Sequence, residues 1–282
     1  MGREPPSQFS LTTQKVKQMD QKRWEKALAG IELGPRHYYQ RVGSTNDIAE
    51  QKITQGTPDL TVILADEQVA GRGRRGRMWH TPRGAALAFS VVILPQAGIV
   101  HKGNLSRLTG LGALAVARAL RDSFSIRARI KWPNDVLIED KKVCGVLVES
   151  IWKGGQLQGA ILGLGVNVDP RALPEPDSLR FPAISLEQAA GKSLARENVL
   201  AAVLKKMVGW YPRLDSDAFL QAWEDTLCWR GQHVILSVED EPKFQGRMLG
   251  LGADGSLRLR DPSGEEVSFQ VGEIQLRPVD RS

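Results

Sequence analysis

A strand that is apolar in both side-chain phases has to be covered on both faces, and Ala85–Leu94 (AALAFSVVIL) is such a strand. Leu60–Ala65 makes the same demand over a shorter run, and Leu157–Val168 carries it to a glycine-bearing end, Gly163-Leu164-Gly165-Val166-Asn167. Helical patterns lie between these strands. Ser44-Thr45-Asn46 supplies capping residues for a helix running to about Ile53. Asn104 stands as the N-cap of a longer helix over 104–124, where Leu105, Leu108, Leu111, Ala115, Val116, Ala119 and Leu120 recur at helical spacing. Ile126–Trp132 alternates apolar and charged residues as a half-buried strand does, and Val136–Glu139 with Val143–Glu149 forms a hairpin around Asp140-Lys141-Lys142. Residues 170–184 hold four prolines and read as a loop. Two more helices are expected near 195–209 and 216–227, with Phe219 and Trp223 on one face of the second. After Trp229 come short strands broken by turns (Glu239-Asp240-Glu241, Gly252–Gly255, Asp261–Gly264), the pattern of a small β-barrel. The fold class is α/β (α+β).

Three segments follow from this pattern. Residues 1–36 are polar and mildly basic and support at most a short helix around Asp20–Ala29, too little for a winged helix-turn-helix. Residues 37–228 form the main domain and 229–282 the small β unit. With 282 residues, 41% of them apolar and 25% charged, the chain has material for a real core. Its net charge of +6 favours acidic partners such as phosphates. Cys144 and Cys228 form neither a CxxC pair nor a metal-ligand spacing, the first thirty residues lack the apolar core of a signal peptide, and no run spans a bilayer. A soluble, cytoplasmic protein with no membrane partner is expected.

The densest local signal is Gly71-Arg72-Gly73-Arg74-Arg75-Gly76-Arg77-Met78-Trp79. Arginine forks suit phosphate and carboxylate oxygens, interleaved glycines let the backbone approach a ligand, and Trp79 offers a ring for stacking. The formal GxGxxG match is accidental, because Trp79–Gly84 contains Pro82 and cannot open a helix, and no acidic ribose partner follows at the right distance. Ordering nine residues costs about 1–2 kcal/mol each in backbone entropy, whereas one charge-assisted hydrogen bond returns about 1.5–3 kcal/mol. Several contacts are needed together, so the loop is expected to order over a phosphate-bearing ligand. The alternative is a solvated loop that binds nucleic acid weakly.

Lys131-Trp132-Pro133-Asn134-Asp135 places an ammonium at a strand end, where it can meet a carboxylate or a developing phosphate charge; the same residues also make a good turn. Gly145, Gly163 and Gly165 weaken their strands unless a ligand or a neighbouring chain needs the space. Ser44-Thr45-Asn46 caps a helix or holds a small neutral ligand at its N-terminus, and Gln68 adds an uncharged donor and acceptor. The four histidines show no metal spacing, and no GxSxG, Walker loop or Cys/His pair supplies a nucleophile.

In this order and at these spacings, Ser44–Asn46, Gln68, the arginine loop with Trp79, Lys131–Asp135, Gly145 and Gly163–Asn167 resemble the biotin protein ligases, strongly over about residues 38–170. The resemblance implies a class II synthetase-like mixed sheet with flanking helices, followed by an SH3-like β-barrel. It implies biotin and Mg-ATP (ATP with Mg2+) as substrates, giving biotinyl-5′-AMP and pyrophosphate. A lysine of a biotin carboxyl carrier protein domain of a carboxylase then displaces AMP. By position it assigns Ser44, Thr45, Asn46, Gln68, Arg72, Gly73, Arg74, Lys131 and Gly145 to biotin, Arg74, Arg77, Trp79, Asn134 and Asn167 to the nucleotide, and Lys131 with Arg74 to catalysis. No resident metal site is implied. The short N-terminal segment implies the monofunctional type without specific DNA binding, and strands 143–149 and 157–168 allow a homodimer.

Met78 departs from the family pattern, which usually has lysine there, and so suggests a catalytically inactive regulator as one alternative. A lipoate or octanoate ligase of the same fold, and a basic-loop nucleic-acid-binding module, are the others.

Overall fold

A computed structural model describes residues 21–95, 98–175, 181–238, 244–270 and 274–278; the expected turn at Glu239–Glu241 and residues 1–20 lie outside them. A seven-stranded sheet is built from β1 (Arg36–Tyr39), β2 (Val62–Ala65), β3 (Ala86–Ile93), β4 (Arg129–Lys131), β5 (Asp135–Ile138), β6 (Lys141–Lys153) and β7 (Gln156–Asn167), in the order β1-β2-β3-β7-β6-β5-β4. Only β1 and β2 pair in parallel, so the sheet is mixed, as expected.

Both faces are covered, as the two-phase apolar strands require. Val62, Leu64, Leu87, Phe89 and Val91 share a core with α3 (Leu105–Phe124) and α5 (Arg196–Trp210) on one side. On the other, Ile63, Val92 and Ile161 pack with Ala49 of α2 (Thr45–Thr54). α2 is short and covers only part of that face. Beyond its N-terminus the sheet floor carries Gly163, Gly165 and Gly145, the last two paired directly across β6 and β7. Gly163 and Gly165 lie two residues apart on β7, as Ile161 and Gly163 do, so all look toward the α2 side.

α1 (Gln21–Ala27) is the short helix expected in the N-terminal segment, yet Trp24 and the following Leu28 are fully buried in the main core. The second expected late helix is α6 (Asp217–Glu224). An unforeseen short helix, α4 (Leu186–Ala190), is opened by a reciprocal cap in which Ser185 accepts from the Gln188 backbone and Gln188 accepts from Ser185. The C-terminal strands β8 (His233–Val238), β9 (Phe244–Leu251), β10 (Leu257–Arg260), β11 (Glu266–Phe269) and β12 (Ile274–Pro278) make a five-stranded antiparallel sheet in the order β11-β10-β9-β8-β12. Its β9–β10 turn docks on the main domain: Arg107 donates to Ala253 O (3.0 Å) and Trp132 Nε1 to Gly255 O (3.1 Å), while Arg107 is itself held by Leu214 O (2.8 Å) within that domain. No helix among the described residues is long and apolar enough to cross a membrane.

Three local expectations change. The hairpin turn is Glu139-Asp140, both at positive φ (48° and 59°), as a two-residue turn matched to strand twist requires. Lys141 and Lys142 therefore belong to β6 rather than to the turn. Asn104 precedes α3 but does not cap it, because its side chain is taken by His101 N (2.9 Å), Ile99 O (2.7 Å) and Asp215 (2.8 Å). The strand expected from Ile126 begins only at Arg129, because Ile126 N still closes the end of α3 on Leu120 O (3.0 Å).

Candidate functional site

Every residue that the resemblance assigns to biotin, nucleotide or catalysis lines one cavity of about 590 Å3 over the glycine floor, a volume suited to a small-molecule ligand. At one end stands the α2 N-terminus. Ser44 caps it by accepting from Asn46 N (3.3 Å). Gln68 Oε1 accepts from both the N–H (2.8 Å) and the hydroxyl (3.0 Å) of Thr45, while Gln68 Nε2 donates to Thr81 Oγ1 (3.3 Å). Ser90 Oγ lies 2.8 Å from Thr45 Oγ1 and 2.6 Å from Asn46 Oδ1. The Asn46 amide donates to Glu149 and stands directly over Gly163, where a β-carbon would collide with it. Four neutral side chains, Thr45, Asn46, Gln68 and Ser90, are thus tied into one largely buried network.

The arginine loop closes on itself through Gly73 N to Arg77 O (2.7 Å) and Trp79 N to Gly71 O (2.8 Å). Gly71 needs to be glycine, since a β-carbon there would sit 2.5 Å from Trp79 O. The four arginines diverge. Arg72 turns to the rim and pairs with Asp47 (2.6 Å) and Glu149 (3.5 Å); its hydrogen bond to Asp47 raises its pKa further. Arg74 turns inward and donates to Asn134 Oδ1 (3.2 Å), while burial and then the neighbouring Arg75 lower its pKa. Arg77 lies at the mouth, and Met78 is 79% exposed beside it. Trp79 folds back over Gly145 and Gly165 with its indole N–H buried and unpartnered.

Lys131 is only 8% exposed; its ammonium lies 4.6 Å from the Phe181 ring centroid and 3.5 Å from Asp135 Oδ2. Trp132-Pro133 is a cis peptide, and Asn134 Nδ2 ties the turn to Val146 O (3.0 Å). Burial would push the Asp135 carboxyl up, but Lys142 (2.6 Å) and Lys131 outweigh it and leave the group below its ordinary pKa. Asn167 is buried at the Trp79 end, with its amide directed at Ile184 O (3.4 Å) and Lys142 O (3.5 Å). Burial pushes the thiol of Cys144, next to the floor glycine Gly145, well up and leaves it inert.

Sequence reasoning missed Ser90, Thr81, Glu149, Lys142 and Phe181. Ser90 had a signal, being the one polar side chain in an otherwise apolar strand. Lys142 had none once it was placed in a turn.

Comparison with known proteins gives a consistent result. Residues 38–167 match the Biotin/lipoate A/B protein ligase family. The chain is 35% identical over 234 residues to the biotin–[acetyl-CoA-carboxylase] ligase of Paracoccus denitrificans, covering 80% of this chain and 95% of that one. It is 31% identical over 242 residues to the bifunctional ligase/repressor BirA of Bacillus subtilis, covering 85% and 73% respectively. Among solved structures it resembles the biotin protein ligase from Aquifex aeolicus in complex with biotin and ATP, at a TM-score of 0.72 and 30% identity, over 87% of this chain and 99% of that one.

Proposed function

Because the chain belongs to the biotin protein ligase family, we propose that it activates biotin with ATP and transfers it to a lysine of a biotin carboxyl carrier protein domain. In the first step a biotin carboxylate oxygen attacks the α-phosphorus of ATP and pyrophosphate leaves, giving biotinyl-5′-AMP. In the second, a neutral lysine amine of the carrier attacks the acyl carbon, the amide forms and AMP leaves.

The observation that carries this reading is the split character of the cavity, with a neutral network (Thr45, Asn46, Gln68, Ser90) at one end and Arg74 and Lys131 toward the other. Uncharged donors and acceptors match a ureido ring, which carries no net charge. Lys131 meets the carboxylate and the oxygen that will bridge to phosphorus, where negative charge gathers during attack. Arg74, steered by Asn134, holds the same region, Arg77 meets phosphate from the mouth, and Trp79 lies against adenine. Since the mixed anhydride is already reactive, positioning and charge stabilisation suffice and no covalent nucleophile is needed.

Among the described residues no cluster of three or more His, Cys, Asp or Glu is placed to hold a metal. Mg2+ would arrive on the phosphates of ATP as part of the substrate. The arginine loop is expected to tighten over bound nucleotide, seen as slower amide exchange across 71–79 when biotin and Mg-ATP are added; unchanged exchange would rule that out.

The deciding experiment measures pyrophosphate release from Mg-ATP with biotin, with lipoate and without acid. Biotin-dependent release, followed by labelling of a carrier domain, supports the proposal. Release with lipoate alone reassigns the enzyme to the lipoate branch, and no release with any acid favours a regulator.

A further inference from the structure

The neutral end of the cavity is bordered by a carboxylate that no sequence motif includes. Gly145, Leu147 and Glu149 alternate along β6 and so share the face over which Trp79 lies. Strand register sets Leu147 opposite Gly163 and Glu149 opposite Ile161, which packs under α2. Glu149 therefore meets the start of that helix, where its Oε2 accepts from the Asn46 amide nitrogen. Arg72 reaches the same oxygen at 3.5 Å but makes its shorter pair, 2.6 Å, with Asp47.

Asn46 is buried, and a primary amide fits the same space with either its nitrogen or its oxygen foremost. The Ser90 hydroxyl, 2.6 Å from Asn46 Oδ1, does not choose between the two, because a hydroxyl both donates and accepts. A carboxylate only accepts, so Glu149 chooses. The nitrogen turns out to it, and the oxygen stays inside, close over Gly163. Three contacts within the network, Thr45 to Gln68 (3.0 Å), Ser90 to Thr45 (2.8 Å) and Ser90 to Asn46 (2.6 Å), draw on the protons of two hydroxyls. With the amide oxygen inward, acceptors outnumber donors there, and an entering N–H finds a lone pair ready. With the amide reversed, its own N–H would supply the missing proton and oppose an entering donor.

Resting on the ligase reading above, we propose that Glu149 is a positioning residue for the ureido ring. It acts through Asn46, holding that amide with its oxygen inward, and so sets the neutral end to accept a ring N–H. It touches neither the ring nor the reacting atoms, and its effect falls on ligand affinity, not on the chemical steps.

The test measures the Kd for biotin by calorimetry on the full chain without ATP, with melting temperatures and biotin-dependent pyrophosphate exchange alongside. Glu149→Met keeps the length of the side chain and removes the acceptor. It should raise the Kd for biotin by roughly ten- to hundredfold, the range for a buried donor left without its partner, and leave the KM for ATP within about twofold. Glu149→Gln still accepts and should stay within about threefold of wild type in the Kd for biotin. Asn46→Ala weakens biotin by itself, and adding Glu149→Met to it should change the Kd no further, since the residue through which Glu149 acts is gone. Should the methionine variant lose its melting transition, Glu149→Leu, which also lacks an acceptor, takes its place in the cycle. Wild-type biotin affinity in the variant without an acceptor would overturn the proposal. So would an equal loss in the glutamine variant, which would point to rim charge, or a full further loss in the Asn46→Ala background, which would point to Arg72. A wild-type protein that neither binds biotin nor exchanges pyrophosphate would instead remove the ligase reading itself.

Discussion

The two ends of the cavity are built on opposite electrostatic plans. At the α2 end, Thr45, Asn46, Gln68, Ser90 and Thr81 are neutral and already bonded to one another, so their geometry is set before any ligand arrives. At the Trp79 end, Lys131 and Lys142 share one carboxylate and Arg74 leans on an asparagine. Neutral groups held this way, with the Asn46 amide tied outward to the Glu149 carboxylate, suit the recognition of a fixed neutral ring, because little has to reorganise. Ion pairs in a cleft are exchangeable, because an incoming phosphate or carboxylate can replace or join the resident partner. The contrast assigns recognition to the first end and chemistry to the second.

Lys131→Ala should break the second end alone. Removing a donor aimed at developing charge is expected to lower biotin-dependent pyrophosphate release by about 10²–10³-fold, with biotin binding by equilibrium dialysis little changed. A loss confined to biotin affinity would reverse the assignment of the two ends.

Asp135→Asn should show that the cation pair is held by one carboxylate. The folded protein holds this group below its ordinary pKa of 3.8, so its contribution is fully present above that value and fades as pH falls below it. The variant should be less stable by roughly 1.5–3 kcal/mol at neutral pH, and thermal denaturation curves of the two proteins should converge below about pH 4. A gap that stays constant into acid would mean that packing, not charge, links the three residues.

At the neutral end, Thr45→Val keeps shape and removes the hydroxyl shared by Gln68 and Ser90. The KM for biotin should rise by about tenfold, the effect of one neutral hydrogen bond, while the KM for ATP stays put. Equal changes in both would show that the ends are not separable.

The smallest effect is expected at Met78, which is 79% exposed. Met78→Lys should alter stability by less than about 0.5 kcal/mol and change the KM for ATP no more than twofold. A large gain in ATP affinity would place the charged end's boundary further out on the loop.

Much of this was legible in the chain. Strands apolar in both phases demanded a doubly covered sheet, and the glycine–arginine loop with Lys131–Asp135 marked the charged end. Ser44–Asn46 and Gln68 marked the neutral end because short polar residues at a helix start are a local signal. The boundary errors were local competitions: Glu139-Asp140 took the turn, and the end of α3 consumed the residues expected to open β4.

By itself, the sequence determined the mixed architecture, the family and the motifs, since these depend on residue periodicity and on contiguous spacing. Only the tertiary structure decided that Trp24 and Leu28 belong to the main core, that the β9–β10 turn docks against Trp132, that Ser90 completes the neutral network, and that Asp135 stands between two lysines. Each of these joins residues distant in sequence or on adjacent strands. Their meeting is fixed by strand register and by which face of the sheet α2 leaves uncovered, and no local pattern encodes either.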